Sequence, residues 1–286
     1  MENLIDSFIN YQSRSELELS VRAERMKPTK EYLKLDPKEK SIQFLRGVDS
    51  RAGFALAGYY IFIASGSEEM NTTSIEGYPG AVLQSYLNRS SLNNISLACR
   101  KVFDHGIKGS LTGAFFAKTK DIVLEQHADY WSKSSGKSFD EALQALRFLR
   151  SFFGVCSKSS SNLLLEESPL CKRIGFLKQY ADRAASHLSL DSYEVDVVDV
   201  FHVVASLTLV AEIIRSFDRS CVESSFYNDL DEASHSSAKA IFPNIIEHRL
   251  FENISVERQA RLCWSRGEEY GLHVLLRQVP YATGFV

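Results

Sequence analysis

The chain has 286 residues and a formal net charge of −3, with 44% hydrophobic and 24% charged residues. That apolar fraction is enough to bury a core and excludes the wholly disordered class. A slightly acidic balance gives no general attraction to nucleic acid or membrane, so any anionic ligand has to be held by a local group of cations.

The opening "MENLIDSFINYQSR" is acidic and amphipathic and lacks the basic region and apolar core of a signal peptide. Five cysteines (Cys99, Cys156, Cys171, Cys221, Cys263) are scattered, with no CxxC. An odd, dispersed set is expected to stay as free thiols, and both features point to a cytoplasmic protein.

Helical spacing dominates along the chain, and hairpin signals such as Asn-Gly or Asp-Gly are missing. Helices are expected at 2–26 and 38–65. The second contains "AGFALAGYYIFIA" (52–64), too short to cross a bilayer and therefore read as a buried helix. A Ser/Gly/Asn-rich connection follows at 65–80. Leu92, Ile95, Cys99 and Val102 then mark one face of a helix at 91–104. After "HGIKGS" (105–110), helices are predicted at 111–133 and 138–154, the latter opened by a capping box of Ser138 and Glu141. "CSKSSSN" (156–162) reads as a break. Ile174, Leu177, Ala181, Ala184 and Leu188 define a helix at 171–188, and Val197, Val200, Val204, Leu207, Ala211 and Ile214 a longer one at 192–217. "SSFYNDLDEASHSS" (224–237) reads as a connection before a last helix at 256–278. The connections are short, so one helical domain spanning 1–286 is expected, without a membrane span.

Recognisable chemistry is sparse. No HExxH, paired-Cys zinc pattern, EF-hand loop or GxSxG elbow occurs, and neither metal nor cofactor is expected. Gly136-Lys137-Ser138 has the tail of a phosphate-binding loop, but Trp131 stands where the pattern needs its first glycine. The informative stretch is "YADRAASHLSL" (180–190). In a regular helix Phe176, Tyr180, Arg183 and His187 would share a face, placing Arg183 and His187 one turn apart. Arg can clamp a phosphate through its planar fork, and His exchanges protons near neutral pH. From Arg147 to His187 there are seven Lys/Arg against three Asp/Glu, a positive segment in an acidic chain.

Two blocks carry a family resemblance. "ISLACRKVFDHGIKGSL" (95–111) is followed by "LKQYADRAASHLSL" (177–190) and a long apolar helix, "VVDVFHVVASLTLVAEII". Together they resemble the abortive-infection branch of the HEPN superfamily, all-helical bacterial proteins linked to phage defence or toxin–antitoxin pairs. The resemblance implies an all-α, antiparallel helical bundle with a HEPN-like core at about 90–217 and additional N- and C-terminal helices. It also implies a homodimer and a metal-independent endoribonuclease whose Arg and His act on the scissile phosphate and the ribose hydroxyl. Catalytic candidates are then Arg183 and His187, with Asp182 orienting them. Lys172, Arg173, Lys178 and Tyr180 are the RNA-binding candidates. Family members show Arg-Asp-Lys-x-x-Ala-His at the second block. Set on His187, that Arg falls on Ala181, the Asp on Asp182, the Lys on Arg183 and the Ala on Ser186. The missing Arg supports an alternative, a catalytically inactive HEPN-like module that binds nucleic acid or a cognate partner protein.

Overall fold

The computed structural model describes residues 34–65, 78–106, 110–185, 195–223 and 230–241. The chain divides into two compact units, Met1–Asp36 and Pro37–Val286, and the second contains nearly all described residues. All regular structure among them is helical, with no strand. The expected helices at 2–26 and 256–278 lie outside the described residues, as does Cys263.

Helix α1 (Pro37–Ser65) buries Phe44, Leu45, Val48, Ala52, Leu56 and Tyr59 along one side and matches the predicted 38–65. It is the central element, in contact with α2 (Tyr78–Val102), α8 (Val197–Arg215) and α10 (Leu230–Ile241). Both long partners run antiparallel to it. Asn88 reaches the Phe62 carbonyl and Ser65, while Gly58 faces Ser91 and Ile95 further along α2. On the other side Tyr59 lies near Phe201, and Asp49 pairs with Arg215. A Cβ on Gly58 would sit 3.2 Å from Ile95 Cγ1, so the absent side chain lets the two helices approach closely.

The remaining helices are α3 (Gly113–Ala117), α4 (Asp121–Ser135), α5 (Phe139–Cys156), α6 (Ser160–Leu165), α7 (Pro169–Tyr180) and α9 (Arg219–Glu223). The expected helix at 111–133 is broken in two. Lys118 and Thr119 donate to carbonyls three residues back, Lys120 is extended, and Arg150 holds the break through Thr119 O (3.1 Å) and Asp121 Oδ1 (2.8 Å). The capping box is present: Ser138 Oγ accepts from the Glu141 N–H, and Glu141 Oε2 accepts from the Ser138 N–H. Gly136, at φ 74°, ends α4 in the left-handed conformation. The Gly-Lys-Ser tripeptide is thus a helix stop followed by a helix start.

Three predicted connections contain helix. The helix expected at 91–104 extends back to Tyr78, α6 falls at the predicted break of 156–162, and α10 occupies most of 224–237. Pro79 and Gly80 at the start of α2, and the serines of α6 and α10, weaken the helical signal, and packing overrides it. In α10, His235 lies edge-on to Tyr60 of α1 at 5.2 Å.

Phe44, Phe103, Phe116, Phe152 and Phe153 form the aromatic part of the core, with ring centroids 5.0–6.1 Å apart. Helix α8 is long and apolar enough to cross a membrane by length and composition alone. Fifteen of its nineteen residues are buried against the rest of the fold. Cys99, Cys156 and Cys171 are free thiols, and all three, like Cys221, are buried.

Polar pairs tie the helices at one end. Arg215 Nε donates to Asp49 Oδ1 at 2.6 Å, with both side chains nearly buried. Burial raises the Asp49 carboxyl above its usual range, against the pull of Arg215. Replacing Arg215 by Met strands that carboxylate and is expected to cost about 3–5 kcal/mol in urea denaturation. The Asp49→Leu/Arg215→Met double variant should recover most of the loss.

Two histidines are buried within the bundle. Burial pushes His127 down to about 3 and His202 down to about 4. The folded chain therefore holds both neutral, whereas the unfolded chain protonates them near 6.5. Their contribution to stability is full above pH 6.5 and is lost as pH falls towards 4 and then 3. Urea midpoints measured from pH 7 to pH 4 should decline, and the slope should be shallower in His127→Gln and His202→Gln.

Candidate functional site

Helix α7 begins with Ser168 Oγ accepting from the Cys171 N–H and Pro169 at its first position. It packs on α6, α8 and α2. After Tyr180 the backbone changes to a π-helical turn, Ala181–Ala185. A π turn admits an extra residue and is frequent at functional sites. The regular helix expected at 171–188 therefore ends at the motif, and the inferred common face does not extend through it. Phe176 and Arg183 are exposed, whereas Tyr180 between them is buried. His187 and Ser186 lie outside the described residues.

The two sequence blocks meet here. Lys178 is 2% exposed, and its Nζ donates to Phe103 O and Lys158 O, each at 2.6 Å. Those carbonyls lie just beyond the C-terminal ends of α2 and α5, where an ammonium complements the helix dipoles. Burial pulls Lys178 below the ordinary lysine range, opposed by charge from Cys99, Asp104 and Asp182. Tyr180 donates to Asn93 Oδ1 at 3.1 Å, and burial raises its phenol against the nearby Arg89. Lys178 and Tyr180, expected to bind RNA, each turn the polar tip inward to acceptors on other parts of the chain.

Arg173, also expected to bind RNA, is partly buried and pairs through Nε with Asp199 Oδ1 at 3.0 Å. Of the four RNA-binding candidates, Lys172 alone is exposed. Among the catalytic candidates, Arg183 is exposed and Asp182 is partly buried. Asp182 Oδ1 lies 2.7 Å from Arg100 Nη1, without the alignment of a hydrogen bond. Ala181, at the place of the family's Arg, is fully buried.

Arg100 was not singled out from the sequence as a site residue. Its signal was present: it stands in the first block, and Arg89, Asn93 and Arg100 follow at intervals of four and seven, which places them on one helix face. That face supplies the partners of Tyr180 and Asp182. Among the described residues no group of three His, Cys, Asp or Glu is arranged to hold a metal ion.

Comparison with family models, with curated proteins and with solved structures finds no match for this chain.

Lys178→Met removes the donor from two carbonyls, one buried and one partly buried, and should lower unfolding stability by about 1.5–3 kcal/mol, the usual worth of a charged hydrogen bond. Chemical denaturation followed by circular dichroism measures this. An unchanged midpoint would show that Lys178 does not hold the two helix ends.

Proposed function

We propose that this chain is a HEPN-like RNA-binding protein and a metal-independent endoribonuclease, acting from the cytoplasm in phage defence or a toxin–antitoxin pair. The observation that carries this reading is the meeting of the two blocks at the π turn, where Arg183 is exposed and Asp182 faces Arg100. Guanidinium groups suit a phosphate diester, because their planar fork can donate two hydrogen bonds to its oxygens.

In this reading Arg183 binds the scissile phosphate and His187 moves the proton. The ribose 2′-oxygen attacks phosphorus as it loses its proton, and the 5′-oxygen leaves and takes one up. An imidazole can serve either transfer near neutral pH. Cleavage of this kind needs no metal. A homodimer accompanies the proposal through the family resemblance, which is an analogy of fold rather than of site.

A second reading, a catalytically inactive module for RNA or a cognate partner protein, is favoured by Ala181. It is buried and brings no charge to the position where the family carries Arg.

Incubation of the purified protein with structured RNA, with and without EDTA, separates the two. The first reading expects cleavage that EDTA does not alter. His187→Ala should then reduce the rate by about a hundred- to ten-thousand-fold, the usual range for general acid–base assistance. Arg183→Ala should also be crippled, with only partial recovery in Arg183→Lys. If the wild-type protein binds RNA but leaves it whole, the inactive module stands. If it neither binds nor cuts, the RNA reading falls.

A further inference from the structure

We propose that Arg100 is the second phosphate-binding cation of this site and that Asp182 is its built-in competitor, a carboxylate that engages the guanidinium until an RNA phosphate displaces it. The proposal rests on the RNA reading above and adds to it a named ligand group and a brake.

The Arg100–Asp182 pair differs from the pairs that hold the bundle. Asp49 and Asp218 are nearly buried, and each accepts an aligned hydrogen bond from Arg215 or Arg46. Arg100 and Asp182, in contrast, keep 37% and 39% of their side chains exposed. Their atoms are 2.7 Å apart without hydrogen-bond alignment. Asp182 Oδ1 itself is covered, but more than a third of each side chain meets water and salt, which screen the pair and limit what it adds to stability. It is therefore more easily exchanged for a better acceptor than the pairs at Asp49 and Asp218.

The surroundings favour an anion. Arg183 is the sole cation within the π turn itself, and one guanidinium is a thin site for a phosphate backbone. Helix α2 brings Arg100 across, and Arg89 lies on the same face of α2, close enough for its charge to act on Tyr180. Opposing them are Asp182 and Asp104, and Asp104 already contacts His105 at 3.2 Å. Displacement needs only that the phosphate offer Arg100 two aligned acceptors in place of one misaligned contact. Once it is bound, Asp182 is a like charge beside the phosphate and weakens the complex.

The two residues should therefore act with opposite signs on binding. The measurement is fluorescence anisotropy with a short labelled single-stranded RNA carrying 2′-O-methyl riboses, which cannot be cleaved through the 2′-oxygen. Asp182→Asn should bind more tightly, by up to about fivefold, the scale of an exposed charge interaction. Arg100→Gln should bind more weakly and with a shallower salt dependence, because one phosphate contact is lost. The Asp182→Asn/Arg100→Gln double variant should do no better than Arg100→Gln alone. Thermal melting of each variant checks that it remains folded. If the wild-type protein binds the probe but Asp182→Asn binds equally or less well, the competitor idea is overturned and the RNA reading survives. If Arg100→Gln binds like wild type, Arg100 is not a phosphate ligand. If the wild-type protein does not bind the probe, the RNA reading and this proposal both fall.

Discussion

A single ammonium group sets the geometry on which the site depends. Lys178 is a cation withdrawn from water, a costly placement unless its protons find strong acceptors. It finds them at Phe103 and Lys158, beyond the ends of α2 and α5. Both carbonyls lie where a helix leaves acceptors unsatisfied, so one side chain meets the needs of two chain segments. Helix α7 cannot slide along α2 without breaking these contacts. The spacing between Arg100 on α2 and Asp182 in the π turn is therefore set by a group that touches neither of them.

The carboxylate–arginine pairs around α1 and α8 contrast with the pair at the π turn. Around α1 and α8, carboxylates are buried and hydrogen-bonded to arginines, and such pairs specify how helices align more than they add to stability. Arg46 Nη2 also reaches Tyr130 Oη at 2.7 Å, joining α1, α4 and the chain after α8 in one network. At the junction of α2 with the π turn, the charges are half exposed and loosely matched.

Much of the fold was legible because α1, α5 and α8 carry strong apolar periodicity or clear caps. Ser138 and Glu141 could be named as a capping box from spacing alone, since that interaction is local. The early start of α2 was hidden by Pro79 and Gly80, and α10 by its three serines; both helices pack on α1. The site was legible only in part. Arg183 and Asp182 were identified as polar positions in an apolar segment, but sequence spacing could not show that Lys178 turns inward. That depends on two carbonyls contributed from 75 and 20 residues away. Arg100 escaped notice for the same reason: its partner lies on another helix. Charge type can be read along a chain, whereas the direction of a side chain is decided by tertiary acceptors.

The π turn at Ala181–Ala185 makes residue number an unreliable ruler for this site. Each residue of an α-helix advances the side-chain direction by roughly 100°. One residue accommodated in a π turn shifts everything after it by about that angle relative to an uninterrupted helix. A fixed gap between an arginine and a histidine then describes a different geometry from the same gap in a straight helix. Two chains with unequal gaps could present the same pair to a ligand, and two with equal gaps could fail to. Deleting one residue from 181–185 would remove the extra residue and restore α-helical register, so the length of this turn sets side-chain direction independently of which residues compose it.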